Sequence, residues 1–384
     1  MTFMISEFGP LEQVASTLHS TVYKTVTTKP RIISLFILEQ ANLSDDFTVA
    51  LKKTQPDEES PPHNSRHELH LLQRFQSRPG QSSNPNIVTL LDHFTQTIDL
   101  YETAQFIVMP WYCTDLTGYL KHHAKFIKRK RDTFNAYLMP GLSTQTANKS
   151  KSKPKYENQI SESDSNAIVK GLSSALTFIH SQGIIHRDIK PSNIMFKSFE
   201  DPTPILIDFG ISYDLQNPQY RHPDEKDPKN KFTDICTTIY KPLEVIFGLR
   251  GYGTEIDVWS LGIVMTLLYS SDLKSCIMGG ENEEDEEDGS GFSGDIGLLF
   301  ALISWFGKPT LQNWPEAKES TTFMNMFAGA GDQDEEQPED SQFTMNLQKL
   351  IPRAGGHVRD IFKRMMVYQS TERITAKEMF ELLK

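Results

Sequence analysis

Asp188, Lys190, Asn193 and Asp208 fall within one short stretch of the chain. A carboxylate can orient a hydroxyl and accept its proton, and an ammonium can neutralise a moving phosphate. An amide oxygen and a second carboxylate can ligate Mg²⁺. Phosphoryl transfer needs these parts. Three apolar runs flank them: Ile184-Ile185, Ile194-Met195-Phe196 and Ile205-Leu206-Ile207. Such runs predict small strands that hold the polar groups on a rigid edge. A strand-loop-strand with chance polar residues is the alternative, and the joint order and spacing weigh against it.

Other elements must position this stretch. Upstream, Val22 to Val26, Arg31 to Leu38, Thr48 to Lys52, Ile87 to Leu91 and Phe106 to Met109 read as strands. Ser65 to Phe75 reads as a helix, with Leu69, Leu71, Leu72 and Phe75 partly at helical spacing. Alternation along a strand sends Lys52 and Lys53 to opposite faces. Asn166 to His180 reads as an amphipathic helix with Ile168, Leu172, Ala175, Leu176 and Ile179 on one side, ended with help from Gly183. Asp257 opens an apolar helix through Leu268, and the last helices run near Val358 to Tyr368 and Thr375 to Leu383.

The chain has 384 residues and a formal net charge of -11, and 38% of its residues are hydrophobic, enough for a sizeable core. Seven acids between Glu281 and Asp288 and six between Asp332 and Asp340 carry the imbalance. The remainder is close to neutral, so the acidity belongs to solvated inserts rather than to a substrate site. Lys121 to Lys155 holds ten Lys/Arg and one Asp. It reads as a solvated loop, with a docking or nuclear-import patch as the sharper alternative. Three widely spaced cysteines, Cys113, Cys236 and Cys276, form no metal pattern and suit a reducing compartment. No apolar run reaches membrane-spanning length, and the N-terminus lacks the pattern of a secretory signal. A protein of the cytoplasm or nucleus follows, with no membrane or nucleic-acid partner.

His186-Arg187-Asp188 with Asn193, then Asp208-Phe209-Gly210, resembles the eukaryotic protein-kinase signature. Val49-Ala50-Leu51-Lys52 resembles the kinase V-A-I-K strand, with Glu68 as the ion-pair partner of Lys52. The stretch L-L-F-A-L-I-S-W-F-G-K-P from Leu298, with Trp314-Pro315, resembles the cyclin-dependent-kinase group. The resemblance implies an α+β bilobal fold over 1–384. The small β-rich lobe would span 1–110 and the mainly helical lobe 111–384, with disordered inserts near 123–160, 278–292 and 328–342. It implies ATP and Mg²⁺ as cofactors. Asp188 would orient the substrate hydroxyl and take its proton, Lys190 would stabilise the moving phosphoryl, and Asn193 and Asp208 would ligate Mg²⁺. Lys52, Glu68, Val14, Val22, Ala50, Met109 and Tyr112 would form the ATP site. Met109 would back the adenine, and the Tyr112 amide would be the hinge donor, because Pro110 offers only its carbonyl. Lys190 also suggests serine/threonine specificity. Asp257 would anchor the catalytic loop, and Arg373 would pair with Glu244.

Departures from the pattern narrow the resemblance. Ala15, Thr17 and Ser20 occupy the three glycine positions of the phosphate-covering hairpin, leaving its backbone amides as donors. Aligning Thr237 with the family threonine puts Phe232 where a phosphothreonine usually stands. His67 and Tyr213 replace two cradle arginines, which leaves Arg187 alone, so apolar packing of Phe232 with Ile235 is expected to hold the segment. The cyclin-contact helix sequence is absent. This combination most resembles the monomeric fungal CDK-activating kinases, which act on the activation-loop threonine of a cyclin-dependent kinase. A related kinase that needs cyclin or phosphorylation, or a pseudokinase scaffold, is the alternative.

Overall fold

The computed structural model describes residues 8–27, 47–76, 84–98, 103–127, 155–278, 294–327 and 342–384. The first lobe is a sheet of five antiparallel strands: β1 (Glu12–Ser16), β2 (Ser20–Thr27), β3 (Phe47–Thr54), β4 (Asp92–Thr97) and β5 (Thr103–Pro110), in the order β1-β2-β3-β5-β4. Helix α1 (Ser65–Gln76) lies between β3 and β4 in sequence. Its Asn64 side chain accepts the His67 N–H at 2.9 Å, capping the first turn. One face buries Leu71, Leu72 and Phe75.

The strand expected over Ile87 to Leu91 does not form. Ile87 makes only an isolated bridge to Leu206, and the next strand begins at Asp92. An apolar run marks burial, but its pairing depends on neighbours that periodicity does not identify. The strand expected over Arg31 to Leu38 lies outside the described residues.

The second lobe starts with β6 (Thr114–Asp115) and α2 (Leu116–His122), whose Asp115 side chain caps Gly118 N–H. Strands β7 (Ala124–Ile127) and β8 (Lys155–Asn158) then pair antiparallel. The basic insert expected as a disordered loop therefore has ordered ends, while residues 128–154 lie outside the described residues, as do both acidic runs. Helix α3 (Glu162–Ser181) follows, capped by Ser161, with its apolar stripe buried. Gln182 caps its C-terminus, and Gly183 just beyond has a φ of +74°, which suits a residue without a Cβ. Short strands β9 (Ile184–Ile185), β10 (Ile194–Phe196), β11 (Ile205–Leu206) and β12 (Tyr213–Asp214) appear where the apolar runs stand. They pair as β11-β10-β6 and β12-β9 and fix the polar loops between them.

The remaining helices are α4 (Leu243–Ile246), α5 (Glu255–Leu268), α6 (Gly294–Phe306), α7 (Thr321–Phe327), α8 (Gln342–Leu350), α9 (Gly356–Met365) and α10 (Ala376–Leu382). Helix α5 is buried on nearly every side, as its composition requires. Arg373 and Glu244, 129 residues apart, meet at 2.7 Å with both side chains nearly inaccessible. No helix among the described residues is long and apolar enough to cross a membrane.

Candidate active site

Strand β3 presents Lys52 on the same face as Ala50, two residues earlier. Val22 stands opposite Lys52 and Met109 opposite Ala50, so the four share one face of the sheet. Val14 falls at an irregularity of β1 and is 41% exposed. Lys52 Nζ donates to both Glu68 oxygens at 2.8 Å and to Asp208 Oδ1 at 2.7 Å. Burial works against the Lys52 charge, but Asp208 and Glu68 outweigh it and hold the ammonium above its ordinary value. Burial likewise opposes the Asp208 carboxylate, yet Lys52 draws it below the usual range. Glu68 is displaced upward, by burial first and then by Asp208, against the pull of Lys52.

At the hinge, the Trp111 N–H donates to Thr48 O and the Cys113 N–H to Phe196 O. The Tyr112 N–H between them has no acceptor among the described residues, which suits a donor for adenine. The Tyr112 side chain is buried in the core.

Asp257 assembles the catalytic loop from below, accepting the backbone N–H of His186 and of Arg187 at 2.9 Å each. His186 Nε2–H donates to Ile207 O, and its Nδ1 accepts the Asp188 N–H. This ring ties the loop carrying Asp188 to the strand leading into Asp208. Asp188 Oδ2 receives Lys190 Nζ at 2.8 Å and Asn193 Nδ2 at 2.9 Å. Asp188 Oδ1 accepts the Thr237 hydroxyl at 3.1 Å, and Lys190 Nζ also reaches that hydroxyl at 3.1 Å. The backbone of Arg187, Asp208 and Cys236 is left-handed, with φ of 71°, 65° and 58°. Such strain in non-glycine residues clusters where surrounding structure holds it for function.

The donor set fits Mg²⁺. Asn193 commits Nδ2 to Asp188, and Asp208 commits Oδ1 to Lys52. Asn193 Oδ1 and Asp208 Oδ2 take no donor among the described residues. The Ile207 N–H bond to Asn193 O keeps the two segments adjacent. Two hard oxygen ligands, completed by phosphate oxygens and water, match the usual Mg²⁺ arrangement.

These positions and the fold decide the family. The chain belongs to the protein kinase domain family, whose match covers residues 37–382. It is a kinase of the cyclin-dependent-kinase-like group. It is 29% identical to the serine/threonine-protein kinase CAK1 of Saccharomyces cerevisiae over 74% of this chain and 76% of that one. Similarity to the serine/threonine-protein kinase csk1 of Schizosaccharomyces pombe is 34% over 39% of this kinase and 44% of the relative. With cyclin-dependent kinase 2 of Caenorhabditis elegans it is 24% over 89% and 72%.

Two expectations for this kinase change. Arg187 is not left alone: Glu225, from the activation segment, accepts its guanidinium at 2.7 and 3.1 Å, with both side chains buried. Glu225 also accepts the Phe232 N–H at 2.6 Å. Tyr213 lies over the same guanidinium, 4.5 Å from its ring centroid. Phe232 does pack beside Ile235, but it acts together with a carboxylate. The only hint in sequence was an acid in H-P-D-E-K-D, one of several. The phosphate-covering hairpin also differs, because Thr17 Oγ1 accepts the N–H of His19 and of Ser20 at 3.3 and 3.1 Å. Those two amides are engaged within the turn.

The activation segment also grips α1. Arg74 donates to Asp214 at 2.8 Å and to Gln182 O at 2.9 Å. The rings of His70 and Tyr220 stack at 3.8 Å, and the Asn64 N–H donates to Gly210 O.

Proposed function

We propose that this kinase transfers the γ-phosphate of ATP to the activation-loop threonine of a cyclin-dependent kinase, acting as a monomer with an unphosphorylated activation segment. One observation carries this reading. Glu68 already meets Lys52 at 2.8 Å, with α1 held by contacts from the same chain. No cyclin is needed to bring helix and lysine together, and the carboxylate of Glu225 supplies the negative charge that Arg187 requires. Similarity to CAK1 supports the choice of substrate.

The chemistry follows from the residues in place. It is an ATP-dependent serine/threonine protein kinase. Lys52, fixed between Glu68 and Asp208, holds the α- and β-phosphates. Asp188 orients the incoming hydroxyl with one carboxylate oxygen and takes up its proton. Lys190 lies beside Asp188 and offsets charge on the moving phosphoryl. Thr237 ties Asp188 and Lys190 to the activation segment. Mg²⁺, when held by Asn193 and Asp208, neutralises charge on the phosphates.

The test uses bacterially produced, phosphatase-treated protein and a cyclin-dependent kinase as substrate. The expected result is phosphorylation that disappears when the substrate's activation-loop threonine is replaced by alanine and when this chain carries Asp208→Ala. Activity that appears only after a cyclin or an upstream kinase is added overturns the reading.

A further inference from the structure

We propose that His19 and His63 bind the phosphates of ATP directly, taking over the task that loop backbone amides perform in glycine-rich hairpins. The inference rests on the ATP-site reading above and assigns two residues that no part of it uses.

A cavity of about 480 Å³ opens between the β1–β2 turn, the segment preceding α1 and the catalytic groups. Lys52, Asp188, Lys190 and Asp208 line its floor, and His19 and His63 line it from the other side. The two imidazole rings stack, with centroids 4.0 Å apart and planes inclined by 31°. One ring comes from the tip of the hairpin and the other from just before α1, so the pair joins two separate segments on one side of the cavity. A Cβ built on Gly210 would lie 3.8 Å from His63 Nδ1 and 3.3 Å from Asp208 Oδ1. His63 therefore sits directly above the Asp208-Phe209-Gly210 turn.

Three observations point to phosphate. The turn has engaged three of its four amides: those of His19 and Ser20 go to Thr17 Oγ1, and that of Thr17 goes to Ser20 O, which leaves the Leu18 N–H as its single backbone donor without an acceptor among the described residues. Lys52 and Lys190 are the only Lys or Arg side chains along the cavity among the described residues, and each shares its charge with a carboxylate, so three phosphates meet few cationic donors. The ring nitrogens of His19 and His63 have no hydrogen-bond partner among the described residues. An imidazole keeps at least one N–H donor in either protonation state. Two such donors on the wall facing Lys52 and Lys190 stand in for the engaged amides with side chains of longer reach.

The experiment is direct binding of MgATP, and separately of adenosine, by calorimetry. Wild type, His19→Ala, His63→Ala and the double variant are compared, with thermal unfolding to confirm the fold. Each single variant is expected to weaken MgATP at least tenfold while leaving adenosine within about twofold. The double variant should lose less than the product of the two, because stacked partners are coupled. His63→Gln, which keeps a donor, should recover part of the loss. In turnover the KM for ATP should rise with kcat little changed. Unchanged MgATP affinity, or equal loss for adenosine and MgATP, overturns the proposal and leaves the kinase reading standing. A wild-type protein that binds adenosine but not MgATP overturns both.

Discussion

Arg187 and Glu225, 38 residues apart, form a two-point ion pair at 2.7 and 3.1 Å, with both side chains out of contact with solvent. The acid balances the charge of the arginine beside Asp188. Removing one member of a buried pair leaves an uncompensated charge and typically costs about 3–5 kcal/mol. Glu225→Ala should therefore lower both stability and turnover, the latter by at least tenfold because Arg187 precedes Asp188. Thr233→Ala and phosphatase treatment should leave wild-type turnover intact. Urea unfolding and peptide phosphorylation of the purified variants check both halves.

The proton acceptor should be indispensable. Asp188 is held by Lys190, Asn193 and Thr237, so Asp188→Asn can keep the geometry while removing basicity. A loss of about 10²-fold or more in kcat is expected. Lys52→Ala should also cripple turnover in a protein that still folds. Steady-state kinetics alongside circular dichroism separate chemistry from folding, and wild-type turnover in either folded variant contradicts the assignment.

Glycines restored to the hairpin should change little. Ala15 and Ser20 already carry side chains, and Thr17 holds the turn. Ala15→Gly and Ser20→Gly should each shift the KM for ATP by less than tenfold, roughly 1.4 kcal/mol. A larger change in the measured KM would show that these side chains touch the nucleotide.

Acid should weaken the small lobe through His67. Burial, reinforced by His70, holds the ring at about 4, below its ordinary 6.5, with Asp214 the main opposing influence. Its buried Nε2 has no partner among the described residues. The unfolded chain therefore takes up the proton first, and the stability that neutrality confers is complete above about pH 6.5 and lost as pH falls toward 4. His67→Gln should flatten part of the decline in urea midpoint between pH 7.5 and 5. An identical decline in the variant would remove His67 as its source.

The pair beneath the activation segment should act on stability alone. Arg373 and Glu244 are buried and far from Asp188 in role, so Glu244→Ala should cost about 3–5 kcal/mol. Any residual folded protein should keep its KM for ATP. A thermal scan with substrate titration decides this.

The order of residues alone determined the chemistry. Asp188, Lys190, Asn193 and Asp208 were legible because phosphoryl transfer needs those side chains at fixed local spacing, and short apolar runs mark the strands that hold them. Lys52 and Glu68 were legible only through the resemblance of Val49-Ala50-Leu51-Lys52 to the kinase strand, since local spacing alone does not set a strand lysine against a helix glutamate. Strand existence over Ile87 to Leu91 was not legible, because an apolar run buries equally well as irregular chain and only the facing β11 decides its pairing. Tertiary structure alone chose Glu225 as the partner of Arg187. Several acids stand in that segment, and the path of the loop, bent by Pro223 and closed by the Phe232 N–H, selects one. It also brought His19 onto His63. A ring stack between a hairpin tip and a segment more than forty residues away depends on how a sheet and a helix pack, and nothing in local spacing encodes that contact.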